Sequence, residues 1–299
     1  MSFITINNEP SQHEPVHIHY EDLGSGQPVV LIHGWPYSGD MWEYQVNELL
    51  QHGLRCITYD RRGFGKSSRP AAGYDYDTLT ADLHALLEHL DLQNAVLVGF
   101  SMGGGEVVRY CAKYGTARIA KIVLISSVTP FMLKTADNPH GVEQAVFDGM
   151  LKGIKEDRIA FLDSFGKAFF GISLIYHPVS TPMLDHYRTI AGFASPLATQ
   201  QCAVSFAGTD FRQDMASIKV PVLIIHGESD KTVPLETGGN QTATLLPDAV
   251  YLIYQGAPHG LFYTNRDSLN RDLLTFIANN TAAGEPPIRP VGVFAETKF

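Results

Sequence analysis

Ser101 stands at the centre of Gly99-Phe100-Ser101-Met102-Gly103, which follows the apolar run Asn94-Ala95-Val96-Leu97-Val98 and opens a helix-like segment. Gly-x-Ser-x-Gly between strand and helix is the sequence form of a nucleophile elbow, a tight turn that pushes the serine hydroxyl out of the sheet. The flanking glycines leave room for strand and helix to approach. A serine hydroxyl is a weak nucleophile, so it needs a histidine base that a carboxylate orients. Downstream of Ser101, the apolar run Val220 to His226 ends in Gly227-Glu228-Ser229-Asp230, and Val250 to Tyr254 is followed by Ala257-Pro258-His259-Gly260. Asp230 and His259 therefore fall, like Ser101, just past the ends of strand-like runs. That is the edge at which parallel sheets bind ligands. Serine, then acid, then histidine is also the order in which such elbows meet their partners.

Competing assignments are few. Glu228 is a rival carboxylate two residues before Asp230, and Glu-Ser-Asp-Lys is also ordinary turn chemistry. Asp60 ends another strand-like run, but it precedes Ser101 and is better placed to anchor the loop Arg61-Arg62-Gly63-Phe64-Gly65. Among twelve histidines only His259 follows both strand and aspartate. His17 and His19 lie two apart on a strand with no third metal ligand nearby, which reads as an exposed strand face. Gly65-Lys66-Ser67 lacks the earlier glycine of a phosphate-binding loop, because position 60 is Asp60. Attack on an acyl carbon also needs donors for an oxyanion. The N–H of Met102, just after the serine, is one. The other is expected from His33-Gly34-Trp35-Pro36, where Trp35 offers an N–H and Pro36 has none.

These residues need a scaffold that brings strand ends together. Short apolar runs recur at Val16 to Tyr20, Val29 to His33, Arg55 to Tyr59, Ala95 to Phe100, Ile122 to Ser126, Val220 to His226 and Val250 to Tyr254. Several are apolar at consecutive positions, as strands buried on both faces are. Helical patterns alternate with them. The clearest spans Thr78 to Leu90, with Leu79, Leu83, Leu86, Leu87 and Leu90 on one stripe and Asp82 off it. This predicts a doubly wound, mostly parallel α/β domain. The rhythm breaks over 130–214 and resumes at Val220. The expected organisation is a core over 1–129, a helical cap insertion over 130–214, the rest of the core over 215–279 and a proline-rich extended tail over 280–299.

Composition excludes several classes. Net charge is -9, from 22 Lys+Arg against 31 Asp+Glu, with no basic patch for nucleic acid or anionic membrane. Cys56, Cys111 and Cys202 are too few and too scattered for a disulfide framework or metal cluster. No metal or cofactor is expected. No stretch has the apolar length of a membrane span, and Met1-Ser2-Phe3-Ile4-Thr5 lacks the features of a signal peptide, so a cytoplasmic location is the default.

The motifs at His33–Pro36, Tyr59–Gly65, Gly99–Gly105 and Ala257–Gly260 together resemble those of the cofactor-free bacterial haloperoxidases. These are α/β-hydrolases also described as perhydrolases and arylesterases, with a (−)-γ-lactamase among near relatives. The likeness covers about residues 17–278. It implies Ser101 as nucleophile, Asp230 as acid, His259 as base, and Trp35 and Met102 as oxyanion donors. It also implies an apolar acyl pocket from Val128, Phe165, Phe169, Phe206 and Val233. In perhydrolase members a proline at the place of Pro36 sets the Trp35 carbonyl to accept a hydrogen bond from peroxide or peracid. Thr232 and Leu235 depart from the bulkier residues of the family. The implied activity is esterase action on small esters through an acyl-enzyme, with hydrogen peroxide as an alternative acyl acceptor. A lactamase or amidase with the same residues is the nearest rival. A hydroxynitrile lyase or a ligand-binding receptor stands further off. The tail leaves a homo-oligomer open.

Overall fold

Alternate residues of the apolar strands feed two separate cores. A computed structural model describes residues 1–6 and 15–279, so the tail over 280–299 lies outside the described residues. Its strands are β1 (Ser2–Ile6), β2 (Val16–Leu23), β3 (Pro28–Ile32), β4 (Arg55–Tyr59), β5 (Ala95–Phe100), β6 (Ile119–Ile125), β7 (Val222–Gly227) and β8 (Val250–Tyr254). They form one sheet in the order β1-β2-β4-β3-β5-β6-β7-β8. β1 and β2 pair antiparallel, as do β2 and β4, and the other pairings are parallel. Val30, Ile32 and Leu97 point into one core, while Val29, Leu31, Val96 and Val98 point into the other. A strand covered on both faces has no polar side to show, which explains the unbroken apolar runs.

Helices α2 (Tyr76–His89) and α3 (Met102–Tyr114) supply the first core; α1 (Glu43–Gln51) and α9 (Arg266–Ala278) supply the second. Leu79, Leu83, Leu86 and Leu87 of α2 are fully buried, as their stripe requires. Asp75 caps this helix by accepting the Thr78 N–H at 2.9 Å. Asp82 corrects the reading of the polar face. It is buried, because Arg62 binds both of its oxygens at 2.6 Å.

Between β6 and β7 the chain forms α4 (Gln144–Phe169), α5 (Thr181–Gly192) and α6 (Pro196–Gly208), with no strand of the sheet among them. α4 is two helical pieces joined at Asp157, whose φ of -151° and ψ of 91° break the helix. Its carboxylate then accepts the Ala160 N–H at 2.9 Å and starts the second piece. Short helices α7 (Gly239–Leu245) and α8 (Leu261–Thr264) complete the core.

Two further details differ from the sequence reading. Strand β1 was not anticipated; on this edge strand only Ile4 is buried, so its residues carry little hydrophobic signal. His19 is buried, not exposed, because it packs between Phe3 and the Asp60 carboxylate, whose Oδ2 lies 3.2 Å from its Nδ1. Asp60 anchors its loop as expected, accepting from the N–H groups of Gly39 at 2.9 Å and Lys66 at 2.8 Å.

Candidate active site

Strand β5 delivers Ser101 to the N-terminal end of α3 through a sharply bent backbone. Ser101 has φ 54° and ψ -117°, a region that costs a non-glycine residue on the order of 1–3 kcal/mol. The surroundings hold it there. Its N–H donates to the Ile125 carbonyl at 2.9 Å, and its own carbonyl accepts from Gly104 at 3.0 Å and Val128 at 3.2 Å. The elbow glycines are required for close approach. A Cβ on Gly99 would lie 2.6 Å from the Gly103 carbonyl, and one on Gly103 would lie 2.5 Å from that of Ile32. The Ser101 hydroxyl does not cap α3. It donates to His259 Nε2 at 2.9 Å.

His259 follows β8, and its Nδ1 donates to Asp230 Oδ2 at 2.6 Å. Asp230 follows β7, and its Oδ1 accepts the N–H groups of Thr232 at 2.9 Å and Val233 at 2.8 Å. Burial alone would raise the Asp230 pKa. The opposing charge and hydrogen bond of His259, with His226 and the Val233 N–H, hold it below the ordinary carboxylate value. Asp230 thus stays an acceptor and fixes the tautomer in which His259 Nε2 is free to take a proton. Glu228 is turned away from this chain of bonds and accepts from the Gly256 N–H at 2.9 Å.

The Trp35 loop lies beside the serine. A Cβ on Gly34 would come within 2.6 Å of the Phe100 ring and 3.2 Å of Ser101 Cβ, so glycine alone permits this approach. The Trp35 backbone N–H has no acceptor among the described residues. Met102 is the first residue of α3, where a backbone N–H has no partner within the helix. Behind the loop lies a buried cluster that sequence reasoning missed. Arg61 donates to the His33 carbonyl at 2.7 Å and pairs with Glu106, which also accepts the Tyr59 hydroxyl at 2.6 Å. The Arg61 N–H donates to His33 Nε2 at 3.0 Å. Burial, aided by the Arg61 charge, lowers the His33 pKa to about 3. The available signal was Glu106 itself, a charge four residues into α3 directly after the three glycines.

The apolar residues surround Trp35 and His259. Phe165 and Phe206 meet the indole edge-on at 5.1 and 5.7 Å, and Phe169 meets the His259 ring at 4.8 Å. Phe161, not foreseen, stacks on Phe165 and lies 6.4 Å from Trp35. Val128 and Val233 are buried next to the Ser101 carbonyl and the Asp230 carboxylate, which accept from their N–H groups. Ser101 is 5 % exposed. A narrow cleft between α4 and α5 reaches Pro36 and Phe165. Among the described residues no group of three or more His, Cys, Asp or Glu is arranged to hold a metal ion.

A family described as the alpha/beta hydrolase fold matches residues 27–266. The chain belongs to that family. It is a hydrolase, and its relatives narrow the subfamily. The α/β-hydrolase is 48% identical to a bromoperoxidase from Bacillus anthracis of known structure, with a TM-score of 0.88, covering 93% of this chain and 100% of that one. It is 42% identical to a non-heme chloroperoxidase of Streptomyces lividans, over 87% of this chain and 95% of the relative. It is 39% identical to a bifunctional esterase/perhydrolase of Acinetobacter calcoaceticus, over 88% and 96% of the two chains. The haloperoxidase resemblance seen in the motifs fits these relatives. No helix among the described residues is long and apolar enough to cross a membrane.

Proposed function

We propose that this hydrolase is a serine esterase that forms an acyl-enzyme on Ser101 and can pass the acyl group to water or to hydrogen peroxide. The observation that carries the reading is the continuous bond path Ser101 Oγ to His259 Nε2 at 2.9 Å and His259 Nδ1 to Asp230 Oδ2 at 2.6 Å. The Ser101 hydroxyl attacks the ester carbonyl as its proton passes to His259. The N–H groups of Trp35 and Met102 stabilise the resulting oxyanion, and His259 returns the proton to the leaving alcohol. Asp230 balances the charge on His259 during both transfers.

Water or hydrogen peroxide then attacks the acyl carbon with His259 as base, giving a carboxylic acid or a peracid and freeing Ser101. A peracid oxidises bromide in solution to hypobromous acid and becomes the carboxylate. Halide oxidation of this kind draws its oxidising equivalents from peroxide. Such a sequence would unite the esterase, perhydrolase and haloperoxidase activities that the names of the relatives carry. The apolar wall of Phe165, Phe169, Phe206, Val128 and Val233 suits a small acyl group, and the helices α4 to α6 serve as its cap.

The test is a panel of phenyl acetate, a γ-lactam, and acetate with peroxide and bromide. Ester turnover and peroxide-dependent bromination, with the lactam slower, is the expected result. A lactam turned over faster than the ester would replace this reading with an amidase. One equivalent of phenol released from phenyl acetate, without further turnover, would replace it with a receptor.

A further inference from the structure

His226 is the penultimate residue of β7 and has no part in the proton path above, yet its imidazole is buried beside it. Its Nε2 lies 2.9 Å from the Val233 carbonyl and 3.5 Å from Asp230 Oδ2. A carbonyl only accepts, so Nε2 carries a proton. The same Oδ2 receives His259 Nδ1 at 2.6 Å, and one carboxylate oxygen therefore faces two imidazoles. Val233 is held from both sides, its N–H on Asp230 Oδ1 and its carbonyl on His226. Space for the ring comes from the start of α7. A Cβ on Gly238 would fall 2.8 Å from His226 Cε1, and one on Gly239 would fall 2.9 Å from His226 Cβ.

We infer that His226 is a positioning residue for the Asp230–His259 pair, a role that rests on the triad reading given above. By gripping the Val233 carbonyl it fixes the turn 230–233 whose N–H groups hold Oδ1. Its Nε2–H edge also keeps Oδ2 directed at His259. Asp230 and His259 are the titratable groups that face it. Burial lowers its pKa, outweighing Asp230 and the Val233 carbonyl, and the neighbouring His259 opposes a second positive charge. His226 therefore stays neutral while His259 accepts the serine proton. A charged His226 would compete for the same carboxylate oxygen.

The experiment compares His226→Leu with His226→Gln in the full chain. Glutamine can return an N–H to the Val233 carbonyl; leucine cannot. For phenyl acetate, His226→Leu is expected to lose about tenfold in kcat with KM nearly unchanged, the equivalent of one lost hydrogen bond. The acid limb of its kcat/KM profile is expected to move up by roughly half a pH unit, as a less well solvated carboxylate requires. His226→Gln should regain most of both. Where His226→Leu does not fold, His226→Asn, one methylene too short for the carbonyl, takes its place. A folded deletion variant with wild-type kcat and profile overturns the inference. So does a His226→Gln as impaired as the deletion with an unmoved profile, which would mark a packing role. Turnover persisting in Ser101→Ala overturns the triad reading and this inference together; an inactive Ser101→Ala beside a normal His226→Leu overturns this inference alone.

Discussion

The Trp35 indole N–H donates to the Thr199 carbonyl at 3.0 Å, so the loop that carries the Trp35 backbone N–H is bonded directly to helix α6. Core and helical segment meet at the residue where oxyanion stabilisation is proposed.

Trp35→Phe keeps an aromatic ring against Phe165 and Phe206 but removes the donor. Loss of a buried hydrogen bond and some packing should destabilise the protein by about 1–3 kcal/mol. Ester kcat/KM should fall in parallel with it. Urea unfolding and steady-state kinetics check the two effects, and a variant that loses neither would show that the Thr199 bond is idle.

Glu106→Ala leaves the Arg61 guanidinium buried without its carboxylate. Breaking a buried pair from one side costs about 3–5 kcal/mol. Because Arg61 also holds the His33 carbonyl, ester kcat should drop although Glu106 touches no substrate. Equilibrium unfolding gives the first number and phenyl acetate turnover the second.

His33 makes stability depend on pH. Its pKa is about 3 in the folded protein and near 6.5 when exposed, so the unfolded chain binds an extra proton between these values. Stability should therefore fall as pH drops from 6.5 towards 3. His33→Gln should flatten that part of the profile, as measured by urea midpoints at successive pH values.

Asp230 acts in the same direction further into acid. Its folded pKa lies below the ordinary value, so the stability it contributes is present above that value and is lost as pH falls through the folded one. Asp230→Asn should remove this contribution. It should also lower ester kcat by about 10^3–10^4, since an amide does not enforce the productive His259 tautomer. A loss under tenfold would point to another acid.

Much of this was legible in the chain because the signals were local. Strands β2 to β8 announced themselves through apolar runs, and Ser101, Asp230 and His259 each followed one. The residues that escaped depend on distant partners. Asp82 and Glu106 are buried because Arg62 and Arg61 reach them from another loop, and no helical periodicity encodes that. His226 was hidden among twelve histidines, since its meaning arises only when β7 lies beside the turn at Asp230. The Phe161 ring joins the Trp35 wall through a helix whose break at Asp157 left its pattern irregular.

The central claim is that one acyl-enzyme on Ser101 serves both ester hydrolysis and peroxide-dependent halide oxidation. The most direct measurement is Ser101→Ala, assayed side by side for phenyl acetate hydrolysis and for bromination with acetate, peroxide and bromide. The account predicts that both activities fall together by at least about 10^3-fold. Bromination persisting near the wild-type rate while ester hydrolysis disappears would contradict it.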